Sequence, residues 1–87
     1  MSKGRILKIV EKMLRCPPEM RVDEVKKVLE FFGWQQRNRK GSHIIYCKGL
    51  EELVIVERKG RFIKRIYIKR VIDMLSLEEW YEENKKW

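Results

Sequence analysis

Two stretches of the chain place apolar residues at helical spacing. The first carries them three and four positions apart, at Ile6, Ile9, Val10, Met13 and Leu14. This spacing puts the side chains on one face of a helix, so we predict a helix over residues 6–14. Pro17 and Pro18 end it, because the residue before a proline avoids the helical region. Residues 16–20 are then a linker, and the helix is expected to pack as an appendage on the main domain.

The second stretch has the same spacing and clear end signals. Its apolar residues are Val22, Val25, Val28, Leu29 and Phe32. Asp23 and Glu24 suit the positive end of a helix dipole, and Gly33 is a natural stop. We predict a helix over residues 22–32 whose apolar face covers a sheet.

The middle of the chain alternates in the manner of strands. Residues 34–39 predict an edge strand with outward polar residues, and residues 43–48 predict its partner. Gly41 and Ser42 between them favour a hairpin turn, because glycine accepts a positive φ at no steric cost. Residues 53–56 are rich in β-branched side chains, which favours a third strand. Together these stretches predict a three-stranded antiparallel meander.

The last third of the chain predicts two helices. Residues 65–75 fit a helix best, with a short extended piece at residues 62–63 before it. Ser76 and Glu79 match the capping-box pattern that opens a helix. The short final helix is expected to dock through Leu77, Trp80 and Tyr81. The expected fold is α+β: a helix, a three-stranded antiparallel sheet and a helix, with an extra N-terminal helix and a short C-terminal one.

Length and charge narrow the class of protein. The 87 residues are expected to form a single domain, in which residues 1–18 extend a core of residues 20–87. A hydrophobic fraction of 44% argues against disorder. The formal net charge of +8 predicts a polyanionic partner, with nucleic acid ahead of an anionic membrane surface. A charged surface without a partner is the remaining interpretation.

The sequence offers little for metal or membrane chemistry. Cys16 and Cys47 lack a CxxC spacing and are interpreted as free thiols in a reducing cytoplasm. One histidine and two distant cysteines make a poor ligand set, so no metal and no cofactor are expected. The longest apolar run is far shorter than a membrane span and no signal peptide is recognised, so a membrane is not expected among the partners.

Positive charge is concentrated in two windows without acidic residues, 31–50 and 58–72. If the meander forms, the turn at Arg39 and Lys40 and the entry to the late helix line one basic face. Such a face binds phosphates with strong salt dependence. Three aromatic residues near these cations can stack bases or belong to the core: Tyr46, Phe62 and Tyr67. The core is favoured for Phe62.

His43 is the only histidine of the chain. It follows the glycine turn, close to three cations, at the predicted start of a strand, where it is placed to meet an anion. Imidazole can also take and give protons near neutral pH. A surface histidine in a basic loop is the alternative interpretation, because ionisable groups indicate functional sites only statistically.

Taken in order, these features resemble the HicA toxins of bacterial and archaeal toxin–antitoxin systems. The matching residues are Phe32-Gly33-Trp34, Arg39-Lys40-Gly41-Ser42-His43, the third strand with its basic turn, and the late helix leading to Leu77-Glu78-Glu79-Trp80-Tyr81. The resemblance runs from about Met20 to the C-terminus and implies a fold similar to the double-stranded RNA-binding domain. Many members have a second histidine where this chain has Ile44, and another in the region of residues 57–60.

The resemblance implies a metal-independent ribonuclease that cleaves mRNA and is held inactive by a HicB-like antitoxin. The family's catalytic histidine corresponds to His43. Contacts to RNA are expected from the turn and the basic face: Arg39, Lys40, Gly41, Ser42, Arg58, Lys59, Arg61 and Lys64. A non-catalytic basic RNA-binding module is the alternative, and a DNA-binding protein is a third interpretation.

With one histidine, only one proton-transfer role can be assigned. His43 is expected to act as general base, and the general acid role is the alternative. Ser42 can orient the imidazole or bond a phosphate oxygen, and Arg39 and Lys40 are the nearest candidates for stabilising transition-state charge. The second proton role stays open between Tyr46, a lysine and water.

Overall fold

Residues 2–86, described in a computed structural model, form helices packed on one side of an antiparallel sheet. The helices are α1 (Lys3–Leu14), α2 (Val22–Phe31), α3 (Arg65–Leu75) and α4 (Leu77–Asn84). The strands are β1 (Glu19–Arg21), β2 (Gln35–Lys40), β3 (His43–Lys48), β4 (Glu51–Arg58) and β5 (Phe62–Lys64). The predicted α+β class is confirmed, and α2 and α3 lie where the apolar spacing predicts them.

The strands follow the order β1-β5-β4-β3-β2, and each neighbouring pair is antiparallel. The predicted meander is confirmed as β2, β3 and β4, and β5 is the predicted extended piece. β1 corrects the predicted linker, because Met20 lies opposite Ile63 in a register with β5. Three residues between a proline and a helix are too few to show an alternation, so the pattern does not indicate this strand.

Burial along β3 and β4 shows which face of the sheet meets the helices. Ile44, Tyr46, Leu53 and Ile55 are at most 4% exposed and belong to the core cluster. Their neighbours along the strands point the other way, because successive side chains alternate between faces. We call this second, uncovered side the open face. It includes Arg21, Lys40, His43, Ile45, Cys47, Val54, Val56, Arg58, Phe62 and Lys64.

β2 is an edge strand, as its polar sequence predicts. All six of its residues are exposed. The pairing with β3 shifts register between Gln36 and Asn38, which marks a bulge. β1, with three residues, forms the opposite edge.

α1 is part of the core and does not lie apart from it as an appendage. Ile6, Val10 and Met13 have no exposed surface. α1 contacts α2, α3 and α4 and so adds its apolar stripe to the helix layer. The stripe predicts the helix correctly, but not how deeply its face is buried.

The predicted capping box at Ser76 is wrong. The Ser76 side chain makes no capping hydrogen bond to α4. Its backbone is left-handed, with φ 51° and ψ 48°, and its amide donates to the carbonyls of Asp73 and Ile72. A serine side chain caps a helix when its backbone is extended. Ser76 instead has the left-handed backbone that ends α3, so its side chain does not cap α4.

Candidate functional site

His43 is the first residue of β3 and follows the tight turn from β2. Lys40 and His43 close this turn, with Gly41 at φ 59° and Ser42 outside the positive-φ region. This is the arrangement of a type II′ turn, which needs glycine only at its first central position. The His43 side chain is exposed and belongs to the open face. The imidazole is therefore accessible at the rim of the sheet.

Three cations lie near His43 on the open face. Lys40 is its partner on β2, and Val56 is its partner on β4. Arg58 is two residues beyond Val56 on the same face, a diagonal position about 7–8 Å away between Cα atoms. The β4–β5 register, continued by one pair, places Lys64 beside Val56. The sheet thus brings four of the predicted site residues onto one surface.

These cations form no ion pair within residues 2–86. Lys40, Arg58 and Lys64 form no salt bridge there, although Glu19 on β1 is the register neighbour of Lys64. Arg37 differs, because its Nη1 lies 3.0 Å from a carboxylate oxygen of Glu52. The charges around His43 are therefore available to a polyanion, whereas that of Arg37 is already matched.

Arg39 lies on the helix side of the sheet, away from His43. Its guanidinium pairs with Glu57, and its Nε donates to the Gly41 carbonyl at 3.1 Å. Arg39 lines a cleft of about 260 Å³ near the start of α2, together with Asp23 and Glu57. The predicted site residues are thus divided between two faces of the sheet.

The turn between β4 and β5 carries the remaining predicted cations. Gly60 has φ 84° and Arg61 has φ 65°, a left-handed conformation that is uncommon for a residue with a side chain. The Arg61 carbonyl accepts from the Val22 amide at 2.9 Å and so fixes the turn against α2. Arg61 lines the cleft with Arg39. Lys59 is exposed next to Arg58 in the chain.

Tyr46 is buried in the same cleft, so it does not offer a ring for stacking. It is 1% exposed. Burial raises the pKa of its phenol to about 12, and the negative charge of Glu30 adds to the rise while Arg39 opposes it. Tyr46 faces the helices, opposite to His43.

Phe62 belongs to the open face and not to the core that the sequence favours for it. It is half-buried and outside the core cluster. Its register partners are Arg58 on β4 and Arg21 on β1. Arg21 was missed as a candidate because the strand that places it was not predicted. Tyr67, in contrast, packs against the core.

The acidic residues of α4 lie on the covered side of the sheet. α4 contacts α1 and α3. Glu78, Glu79, Glu82 and Glu83 are exposed on it. The acidic end of the chain therefore points away from the open face and does not shield His43.

Two further findings concern the described part of the chain as a whole. No helix within residues 2–86 has the length and apolar character needed to cross a bilayer. Over the same residues, no three His, Cys, Asp or Glu side chains gather as a metal site. Cys16 and Cys47 are free thiols, both half-buried.

A comparison with protein-family models matches residues 22–77 to the family described as HicA toxin of bacterial toxin-antitoxin. The matched segment runs from the first residue of α2 to the first residue of α4. It contains the turn with His43 and leaves out α1 and β1. Searches of curated proteins and of solved structures gave no match.

Proposed function

The chain belongs to the HicA toxin family, and from this premise we propose that it is a metal-independent endoribonuclease that cleaves mRNA. One observation carries the proposal. His43 is exposed at the rim of the open face, with Lys40 and Arg58 as unpaired neighbours. An RNA chain attracted to these cations meets the side chain best suited to proton transfer near neutral pH.

Cleavage without a metal uses the ribose 2′-hydroxyl as nucleophile. Its oxygen bonds to phosphorus while the bond from phosphorus to the 5′ oxygen breaks, and a cyclic phosphate is left. His43 takes the 2′-hydroxyl proton as general base. Lys40 and Arg58 stabilise the charge that develops on the phosphate oxygens. Arg58 takes this role in place of Arg39, whose charge is paired with Glu57 on the other side of the sheet.

The 5′ oxygen must receive a proton when it leaves. Tyr46 is excluded from this role because it lies on the covered face, opposite to His43. Lys40, adjacent to His43 across the turn, and water are the remaining donors. A missing dedicated acid typically costs about 10²–10⁴ in rate, so we expect a slow enzyme.

The partner is an antitoxin of the HicB type that covers His43. Membership of a toxin–antitoxin family supports a protein partner of this kind. The open face is its expected docking side, because an inhibitor must cover the reactive imidazole. Because the proposed substrate of the toxin is mRNA, we propose that the toxin acts in the cytoplasm.

Cleavage is tested on a fluorogenic single-stranded RNA with the wild-type chain, His43→Ala and Gln35→Ala. Gln35 is an exposed residue at the far end of β2 and serves as the matched surface control. We expect His43→Ala to abolish cleavage and to keep RNA affinity within a few-fold. Gln35→Ala should cleave like the wild type. A substrate with a 2′-deoxyribose at the scissile position should stay intact.

Equal cleavage by the wild type and His43→Ala would remove His43 from catalysis. Cleavage of the deoxy-substituted substrate would remove the 2′-hydroxyl mechanism. RNA binding without turnover by the wild type would favour the second candidate function, a non-catalytic RNA-binding module. The presence of a single histidine, with Ile44 where many members carry another, is the observation that favours this second candidate.

A further inference from the structure

We propose that Phe62 is a stacking platform for one unpaired base of a single-stranded RNA, and that Arg21 and Arg58 bind the adjacent phosphates. The inference rests on the proposed function for the ligand being RNA. It adds the path of the RNA chain over the protein and a specificity for unpaired nucleotides.

The proposal starts from one row of side chains across three strands. Arg21 on β1 is opposite Phe62 on β5, and Phe62 is opposite Arg58 on β4. Neighbouring strands are about 4.8 Å apart, so the backbone positions of Arg21 and Arg58 lie on either side of Phe62. Both arginines are exposed and lack a carboxylate partner within residues 2–86. Cations on both sides of an aromatic ring suit a nucleotide, which has a flat base and a charged phosphate.

The Phe62 ring has no structural role in the core. The other half-buried aromatic residues of the described chain, Phe32, Tyr67, Trp80 and Tyr81, all pack against the core cluster, whereas Phe62 does not. Its ring lies over the β4–β5 turn, where a Cβ added to Gly60 would lie 3.3 Å from two ring carbons. The turn thus supports one side of Phe62, and its partial exposure leaves surface for a base.

The row with Phe62 lies next to the row that contains His43. Val56 is the partner of His43 on β4. Arg58 lies two positions further along the same strand, a distance of about 7 Å. The His43 row begins with Lys40 on β2 and continues through Val56 and Lys64 to Glu19 on β1. Phe62 is two strands away from β3, so an RNA chain that passes His43 has a nearby nucleotide within reach of Phe62.

Stacking on Phe62 selects for single-stranded RNA. A paired base inside a duplex is covered on both faces by its neighbours and cannot lie on a protein ring. Stacking is also tolerant of base identity, since every base has a π-face. The platform is expected to fix the position of the chain without reading a sequence.

Binding is measured on the His43→Ala background, so that the RNA stays intact. A short single-stranded RNA carries 2-aminopurine at successive positions, and its fluorescence is quenched where the base stacks. We expect quenching to peak at one position. Phe62→Leu should abolish the peak and lower affinity by about 5- to 100-fold, whereas Phe62→Tyr should keep both. Tyr67→Leu is the matched control, because Tyr67 is also half-buried near a cation but packs on the core.

The possible outcomes separate this inference from the proposed function. Unchanged affinity and quenching in Phe62→Leu overturn the stacking platform while leaving cleavage by the wild type intact. Tight binding of a fully paired RNA, equal to that of the single strand, also overturns it. A quenching peak that needs Phe62, with no cleavage by the wild type, supports the platform and contradicts the ribonuclease.

Discussion

At the scale of single residues, the two faces of β3 give neighbouring side chains opposite surroundings. His43 is exposed on the open face, whereas Tyr46 is 1% exposed on the helix side. The Tyr46 phenol lines a cleft with Arg39 and Glu57. Burial and nearby carboxylates oppose its ionisation, which raises its pKa to about 12.

This shift predicts how stability depends on alkaline pH. The phenol keeps its proton in the folded chain up to about pH 12, whereas in the unfolded chain it ionises near its model value of 10.0. The unfolded state therefore loses its proton first, and the free energy of unfolding falls as pH rises from 10 to 12. The loss due to Tyr46 is about 2–3 kcal/mol, from about 1.4 kcal/mol per pKa unit. Tyr46→Phe should lack this part of the decline in urea unfolding at pH 9 to 12.

Tyr67→Phe is the control for removing a tyrosine hydroxyl outside the cleft, because Tyr67 is half-buried at the edge of the core. It should decline with pH as the wild type does. The same decline in Tyr46→Phe and the wild type would contradict a buried, hard-to-ionise phenol at position 46.

The sequence pattern predicts the surroundings of some of these residues and not of others. An exposed His43 at the start of a strand can be predicted, because the turn signal and the single histidine coincide. The face of Tyr46 cannot, because both sides of β3 are apolar apart from its end residues His43 and Lys48 and alternation does not tell which side the helices cover. The face of Phe62 cannot, because β5 has only three residues. The capping role predicted for Ser76 is wrong for another reason, because Ser76 ends α3 and does not cap α4.

At the scale of elements, length decides what the pattern can predict. The four helices and the three longer strands have enough residues to show a period, and they are found close to the predicted positions. β1 has three residues and was missed, and with it the position of Arg21 on the open face. The burial of α1 depends on contacts with α2, α3 and α4, which no local pattern contains.

Burial of α1 predicts a large cost for truncating its core side chains. Met13 has no exposed surface. Met13→Ala should lower the free energy of unfolding by about 2–5 kcal/mol, because the lost side chain leaves a cavity in a shared core. Urea unfolding followed by circular dichroism measures this cost, and the transition should remain a single one.

Lys8→Ala is the matched change on the exposed side of α1. Its cost should stay within about 0.5 kcal/mol. A similarly small cost for Met13→Ala, or a separate early transition, would mean that α1 is an appendage after all.

At the scale of the whole molecule, cations near His43 gather on the open face. Lys40, Arg58 and Lys64 lie there without a salt bridge in residues 2–86, and Glu19 and Glu52 share the face, Glu52 in a salt bridge with Arg37. The acidic end of the chain is on α4, in the helix layer. Net charge alone predicts a polyanion, whereas the fold shows which cations lie next to His43.

The position of the open-face cations beside His43 predicts a face-dependent salt effect on RNA binding. Lys40→Gln and Lys64→Gln should each lower the slope of log affinity against log salt by about 0.7, the value for one phosphate contact on a single strand. Binding is titrated between 50 and 200 mM salt on the His43→Ala background. Charge loss on the helix side, in Lys8→Gln, should leave the slope unchanged.

Arg39→Gln is a second comparison, because Arg39 is already paired with Glu57. It should leave the slope close to that of the parent chain. Equal slope changes in Lys8→Gln and Lys40→Gln would mean that the RNA responds to net charge and not to the open face.

The polar composition of β2 has a consequence for association between copies of the chain at high concentration. An edge strand offers unpaired backbone groups to which a strand of another copy can add, the first step toward amyloid-like stacking. On β2 the side chain of Lys40 has no salt bridge and would repel its counterpart in a second copy, and the bulge between Gln36 and Asn38 interrupts a straight match. Edge-to-edge addition of a second copy is therefore disfavoured at β2.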